Sequence, residues 1–303
     1  MHNNVKAKIK GHDKVFYENI GVKHCQGDPL GPKLFNIYKF YINQLPNAIH
    51  PNHGTIDLKD TDPITIRKRL IKCLLYADAL VLFSTTAEGL NKQLQNLHDY
   101  CVSLDLEVSI AKTEAMYIKS RKSQAESNAN LPRITYNGQP IAYADTFKYV
   151  GITISHDGKY DKHIEKAIDK AETAAQILKN KIRTIGRSSP LDFKTTLYKA
   201  YVQPILMYGM EVLTPTEAQY NQMDNVAINF TRWALGASPR SNRQMTLTLG
   251  KLKNIKLEIK KQQINYFYTL MHRPPTCLTS TILLHIINSP QHDMHKKWLT
   301  PIH

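Results

Sequence analysis

The sequence predicts an α+β protein, with a strand–helix mixture over residues 1–158 and an all-helical region over 159–303. Three observations carry this. Short alternating apolar runs punctuated by Gly, Pro, Asn and Asp dominate up to about residue 158. From Asp161 onward the apolar residues recur at helical spacing instead. Apolar runs continue along nearly the whole chain of 303 residues, so a packed core rather than disorder is expected. A chain of this length buries roughly 70–75% of its unfolded surface, enough for one large domain or two small ones. In the first region, helices are expected on one face of an antiparallel sheet.

The elements follow in chain order. Weak alternation around Val5, Ala7 and Ile9 and again around Val15 and Tyr17, separated by Gly11-His12-Asp13, predicts a hairpin. Pro29 and Pro32 suit a turn and a first helical turn, and Leu34, Phe35, Tyr38, Tyr41, Ile42 and Leu45 predict the helix that follows. "ITIRKRLIK" is a basic strand candidate that leads into "LLYADALVLFS". Ser84-Thr85-Thr86 offers a cap, and Leu90, Leu94, Leu97, Cys101 and Leu104 form a helical stripe. "EAMYIKS" reads as a short strand, and residues 121–132 as a polar loop. Asn137-Gly138 and Asp157-Gly158 each signal a hairpin. Ile164, Ala167, Ile168, Ala171, Ala175, Leu178, Ile182 and Ile185 then define a long helix. Further helices are expected over 190–209, with a kink at Pro204, over 217–236, and through "LKNIKLEIKKQQINYFYTLMHR". The tail after Pro274 is too weakly patterned to place.

Forty Lys and Arg against 25 Asp and Glu give a net charge of +15, which points to a polyanionic partner or to a lysine-rich soluble surface. Lys162, Lys166 and Lys170 stand off the apolar stripe of the long helix, either as a solvated face or as a track for a phosphate backbone. The four cysteines, Cys25, Cys73, Cys101 and Cys277, form no CxxC pair, so neither a zinc ribbon nor a disulfide scaffold is expected. No apolar run reaches the roughly 18–20 residues needed to span a bilayer, and no signal peptide is visible, so an intracellular, non-secreted protein without a membrane partner is expected.

Asp78 is the residue that composition does not explain. It sits where "LLYADALVLFS" would turn, flanked by Leu74, Leu75, Val81, Leu82 and Phe83. A lone carboxylate in apolar surroundings is costly without a partner or a cation.

The segments from Gly21 to Leu45 and from Leu74 to Ser84 together resemble the palm of a reverse transcriptase of the non-LTR, LINE-like retrotransposon class. Gly21-Val22-Lys23, Gln26-Gly27-Asp28-Pro29-Leu30, Pro32 and Leu34-Phe35-Asn36 fit one block of that family, with His24-Cys25 inserted and Gly31 where serine is usual. Tyr76-Ala77-Asp78-Ala79 fits the aromatic-Ala-Asp-Asp turn with its second acid missing. "LDLEVSIAKTEAM" and "FKYVGITISHDG" resemble two later blocks in the family's order, and "LYKAYVQPILMYGMEV" resembles a helix beyond the thumb.

The resemblance implies a partial palm over 1–158, then a thumb-like and post-thumb helical region over 159–303. It implies RNA-directed DNA polymerase chemistry, in which two Mg²⁺ ions about 3.5–4 Å apart serve nucleotidyl transfer. Asp78 then matches the first acid of the pair, a metal ligand and catalytic residue, and Lys112 the lysine that steers or protonates pyrophosphate. Gln26, Gly27, Tyr76 and Ala77 fall near template and nucleotide, although Tyr76 suits core packing, and Lys112 suits an exposed turn. A template–primer or RNA/DNA duplex is the implied partner. The family's upstream metal-binding aspartate has no counterpart before Gly21, where Asp13 and Glu18 are the acids present. The chain is therefore expected to start after the fingers and, with Ala79 in place of an acid, to hold Mg²⁺ poorly and be inactive by itself. A non-catalytic nucleic-acid-binding protein or a non-functional relic is the alternative.

Overall fold

The computed structural model describes residues 6–7, 16–17, 62, 64–67, 69–71, 73–76, 79–103, 106–118, 131–186, 189–290 and 298. The described residues fall into two compact units, one within Met1–Asp62 and Lys72–Leu106, the other within Pro63–Ile71 and Glu107–His303.

In the first unit, β1 (Lys6–Ala7) and β2 (Phe16–Tyr17) pair antiparallel, as the opening alternation predicts. β5 (Cys73–Tyr76) and β6 (Ala79–Leu82) form the expected hairpin, closing on the Tyr76↔Ala79 pair. Helix α1 (Ala87–Ser103) begins where the hydroxyl cluster predicts. Thr86 Oγ1 accepts from the Gly89 N–H at 3.0 Å and donates to Asp62 Oδ2 at 2.5 Å, so it caps the helix and ties it to the preceding chain. Leu94, Leu97 and Cys101 are buried along the predicted stripe, and burial pushes the Cys101 thiol up from its ordinary pKa. Gln93, buried beside them, donates to the Phe83 carbonyl at 2.8 Å.

The second unit opens with β3 (Ile64–Ile66) and β4 (Arg69–Ile71), an antiparallel pair. The basic run expected as one strand is thus two, because Arg67 takes φ 46° and turns the chain back. β7 (Glu114–Ala115) is shorter than "EAMYIKS" suggests and pairs in parallel with β10 (Ala142–Tyr143). β8 (Thr135–Tyr136) and β9 (Gln139–Pro140) flank Asn137 at φ 47° and Gly138 at φ 75°, the two left-handed residues that a tight hairpin needs. β11 (Thr146–Tyr149) pairs antiparallel with β12 (Ile152–Ser155). Among the described residues the strands pair only in twos, so the region is a set of small sheets.

Helices fill the rest. α2 (Asp161–Ile185) buries Ile164, Ala167, Ile168, Ala171, Ala175 and Ile182, although Ile185, assigned to the same stripe, is 71% exposed at the helix end. α3 (Leu191–Tyr201) and α4 (Gln203–Met207) are separated at Val202, because Pro204 has no N–H to continue the ladder. α5 (Glu217–Leu235) starts with a Thr216–Gln219 capping box and ends at Gly236 in the left-handed region. α6 (Arg243–Leu249) and α7 (Ile255–Met271) are capped by Asn242 and Asn254. α8 (Leu278–Ile287) occupies the stretch whose pattern was too weak to place. The core joins α2 to α7 through Val202, Leu206, Met210, Met223, Phe230 and Ile259. A smaller cluster gathers Leu270, Leu283, Ile286 and Trp298. Among the described residues, no helix is long and apolar enough to cross a membrane.

Candidate nucleic-acid interface

The β11–β12 hairpin turns on Val150 at φ 47° and Gly151 at φ 82°. The turn expected at Asp157-Gly158 instead leads from β12 into α2, since the pairing of Tyr149 with Ile152 already closes the hairpin. A β-branched residue at positive φ is strained, and Val150 is held there from outside. Tyr208 donates its hydroxyl hydrogen to the Val150 carbonyl at 2.6 Å. Gly151 is required by space as well as by φ, because a Cβ there would lie 2.9 Å from Tyr208 Cε1.

His163, on the first turn of α2, is 6% exposed and joins the same elements. Its Nδ1 accepts from the Thr153 N–H at 3.3 Å, and its Nε2 faces the Tyr208 carbonyl at 3.3 Å. This pair of partners selects the neutral ring with hydrogen on Nε2. Burial, with smaller contributions from Lys170 and Lys166, holds its pKa below the usual histidine value, against the opposing pull of the Tyr208 carbonyl.

These contacts leave a cleft of about 730 Å³. Lys148 and Gly151 line it from the hairpin, Lys166 and Lys170 from α2, and Pro204, Ile205 and Tyr208 from α4 and the residue after it. Glu114 of β7 is the acid among the lining residues. Lys166 and Lys170 are four residues apart on one exposed face, where like charges repel by a few tenths of a kcal/mol. Among the described residues no carboxylate pairs with either of them or with Lys148. Unneutralised cations converging on a concavity favour an anionic ligand.

The residues singled out from sequence divide as follows. Lys166 and Lys170 come together in this cleft, while Lys162 is exposed on the same helix and is not among the lining residues. Lys112 ends a 3₁₀ turn, Ile110–Lys112, and is exposed there. Tyr76 closes the β5–β6 hairpin opposite Ala79. Asp78, Ala77, Gln26, Gly27 and Asp28 lie outside the described residues, as does the helix expected from Pro32 to Leu45. Ala79, the next residue after Asp78, brings a methyl and no oxygen to that turn. Among the described residues no group of three or more His, Cys, Asp or Glu side chains can hold a metal ion. Sequence reasoning missed Lys148 and Tyr208. Strand alternation could have found Lys148, exposed between half-buried Phe147 and Tyr149. No local signal marks Tyr208, whose partner Val150 is 58 positions away.

The sequence profile of the family described as reverse transcriptase (RNA-dependent DNA polymerase) matches residues 3–154, half of the chain. The RNA-directed DNA polymerase from mobile element jockey of Drosophila melanogaster is 21% identical over 187 residues, covering 62% of this chain and 19% of that protein. The Pol polyprotein from the type-1 retrotransposable element R2 of Nasonia vitripennis is 27% identical over 159 residues, covering 51% of this chain and 14% of its own length. Its counterpart from Bradysia coprophila is 23% identical over 163 residues, covering 52% and 17%. The chain thus spans less than a fifth of the curated relatives it matches.

Proposed function

The chain belongs to the reverse transcriptase (RNA-dependent DNA polymerase) family, and on that premise we propose that it is a nucleic-acid-binding protein of the non-LTR, LINE-like retrotransposon class whose palm does not transfer nucleotides by itself. The observation that carries the binding is the convergence of Lys148, Lys166 and Lys170, from two elements, on one cleft without a carboxylate partner among the described residues. A template–primer backbone fits such a surface, with α2 in the place of a thumb helix. The jockey and R2 relatives, by their names, supply the polymerase and retroelement context.

Inactivity rests on Asp78-Ala79. Mg²⁺ pairs that serve nucleotidyl transfer need several anionic oxygens in a small space. Asp78 is a carboxylate and Ala79 is not, so this pair of residues does not fit two ions.

Titration of a fluorescently labelled RNA/DNA duplex by anisotropy at several salt concentrations tests the binding. Three phosphate contacts give a log K against log salt slope of about −2.7, roughly a fortyfold loss of affinity between 50 and 200 mM salt. The triple variant Lys148→Ala, Lys166→Ala, Lys170→Ala flattens that slope. A slope near zero for the unaltered chain contradicts the proposal. Primer extension with Mg²⁺ or Mn²⁺ tests the rest, and synthesis that disappears in Asp78→Asn overturns the inactivity.

A further inference from the structure

We propose that the cleft seats one nucleotide of an unpaired strand, with its base against the Tyr208 ring and its phosphate among Lys148, Lys166 and Lys170. This deepens the nucleic-acid-binding reading above and rests on it. The walls of the cleft differ in chemistry. One is cationic; the other is built from Pro204, Ile205 and Tyr208. Duplex backbone alone has a use for the first wall and none for the second.

Tyr208 is prepared for stacking. Its hydroxyl is committed to the Val150 carbonyl at 2.6 Å, and its ring lies against Gly151 with no room for a Cβ between them. It nevertheless remains 50% exposed. A ring already fixed by its own protein loses little further freedom when a base covers its free side. Pro204, exposed and one turn earlier, extends the apolar surface beside it.

Size and charge fit the same ligand. About 730 Å³ falls within the range of clefts that enclose a small organic molecule. A flat aromatic group joined to an anion matches a lining that holds both an aromatic ring and lysines, and an unpaired nucleotide has that form. In a double helix the base faces are already stacked on one another and only phosphates reach the surface, whereas a single strand offers both groups at once.

The test uses the full 303-residue chain, a short single-stranded oligonucleotide carrying 5-iodouracil, and a duplex of the same length. Irradiation is expected to crosslink the iodinated base to Tyr208, located by mass spectrometry. Tyr208→Leu lowers the ratio of single-strand to duplex affinity on the order of tenfold, the loss of one stacked base. Tyr208→Phe, which keeps the ring and loses the hydroxyl bond that helps fix it, lowers that ratio distinctly less than Tyr208→Leu and separates stacking from damage to the hairpin. An unchanged ratio in Tyr208→Leu, an equal fall in Tyr208→Phe, or crosslinks confined to residues away from the cleft overturn the inference while duplex binding stands. Failure of both oligonucleotides to bind defeats the underlying reading as well.

Discussion

Tyr208 holds the strained turn residue Val150 across 58 positions of sequence, its hydroxyl donating to the Val150 carbonyl at 2.6 Å. The backbone carbonyl of Tyr208 meets His163 Nε2, and the next residue, Gly209 at φ 81°, has Ile152 Cδ1 only 2.6 Å from where its Cβ would stand. Tyr208-Gly209 therefore fits against the hairpin and α2 at once, and the cleft exists because those elements are held in that arrangement.

Two glycines at positive φ separate strain from close approach. Gly138 and Gly151 sit at φ 75° and 82°, but a Cβ at Gly138 meets nothing within 4 Å, whereas at Gly151 it meets the Tyr208 ring at 2.9 Å. Gly138→Ala is expected to cost about 1 kcal/mol, the left-handed penalty alone. Gly151→Ala adds the displacement of Tyr208 and costs about 2–3 kcal/mol. Urea unfolding of the two variants compares them, and equal midpoints would remove the close approach as a constraint.

Asp224 joins α5 to the start of α7. It is 4% exposed, accepting from the Ile255 N–H at 2.8 Å and from Asn254 Nδ2 at 2.6 Å. Asp224→Ala leaves both donors without that acceptor and is expected to destabilise by about 2–3 kcal/mol. Burial pushes this carboxyl up, against the Ile255 N–H and Arg243, so a neutral side chain is tolerated better than an absent one. Asp224→Asn, which keeps one acceptor for Ile255, is therefore expected to lose less. Urea denaturation read by far-ultraviolet dichroism checks the order.

Local signals carried much of this fold. The hydroxyl run before α1, Asn137-Gly138, the apolar stripe of α2 and the pairing of β5 with β6 all depend on neighbours a few residues away, and each was legible. The β11–β12 turn was not. Val150-Gly151 gives a weaker turn signal than Asp157-Gly158, and the contact that stabilises it comes from Tyr208. The same cause hid half of the site: Lys166 and Lys170 were visible on their helix, whereas Lys148 and the aromatic wall join them only through tertiary packing. The break after α3 shows the converse, since Pro204 alone announces it.

If the cleft rather than diffuse positive charge binds nucleic acid, lysines on one helix are not equivalent. Lys170 lines the cleft, while Lys181 is exposed eleven residues further along α2 and does not. Lys170→Ala is expected to reduce the magnitude of the salt slope by about one, and Lys181→Ala by distinctly less. Anisotropy titrations of both variants decide this, and indistinguishable slopes would return the binding to net charge.

Stability should fall in mild acid because of His163. Its folded pKa lies below the ordinary value of 6.5, so the unfolded chain takes up the proton first. The neutral ring's contribution is complete above about 6.5 and is lost as pH drops from there toward the depressed folded pKa. Protonation removes the Nδ1 acceptor used by the Thr153 N–H and places a cation near Lys166 and Lys170, while the Tyr208 carbonyl at Nε2 opposes the loss. The charged groups around the ring are those two lysines on α2, with Lys148 and Glu114 across the cleft lining. Other histidines titrate in the same range, so the measurement is a difference: urea stability of the unaltered chain and of His163→Gln between pH 7.5 and 5. The unaltered chain is expected to lose more over that interval, and parallel pH profiles would show that His163 is not the group responsible.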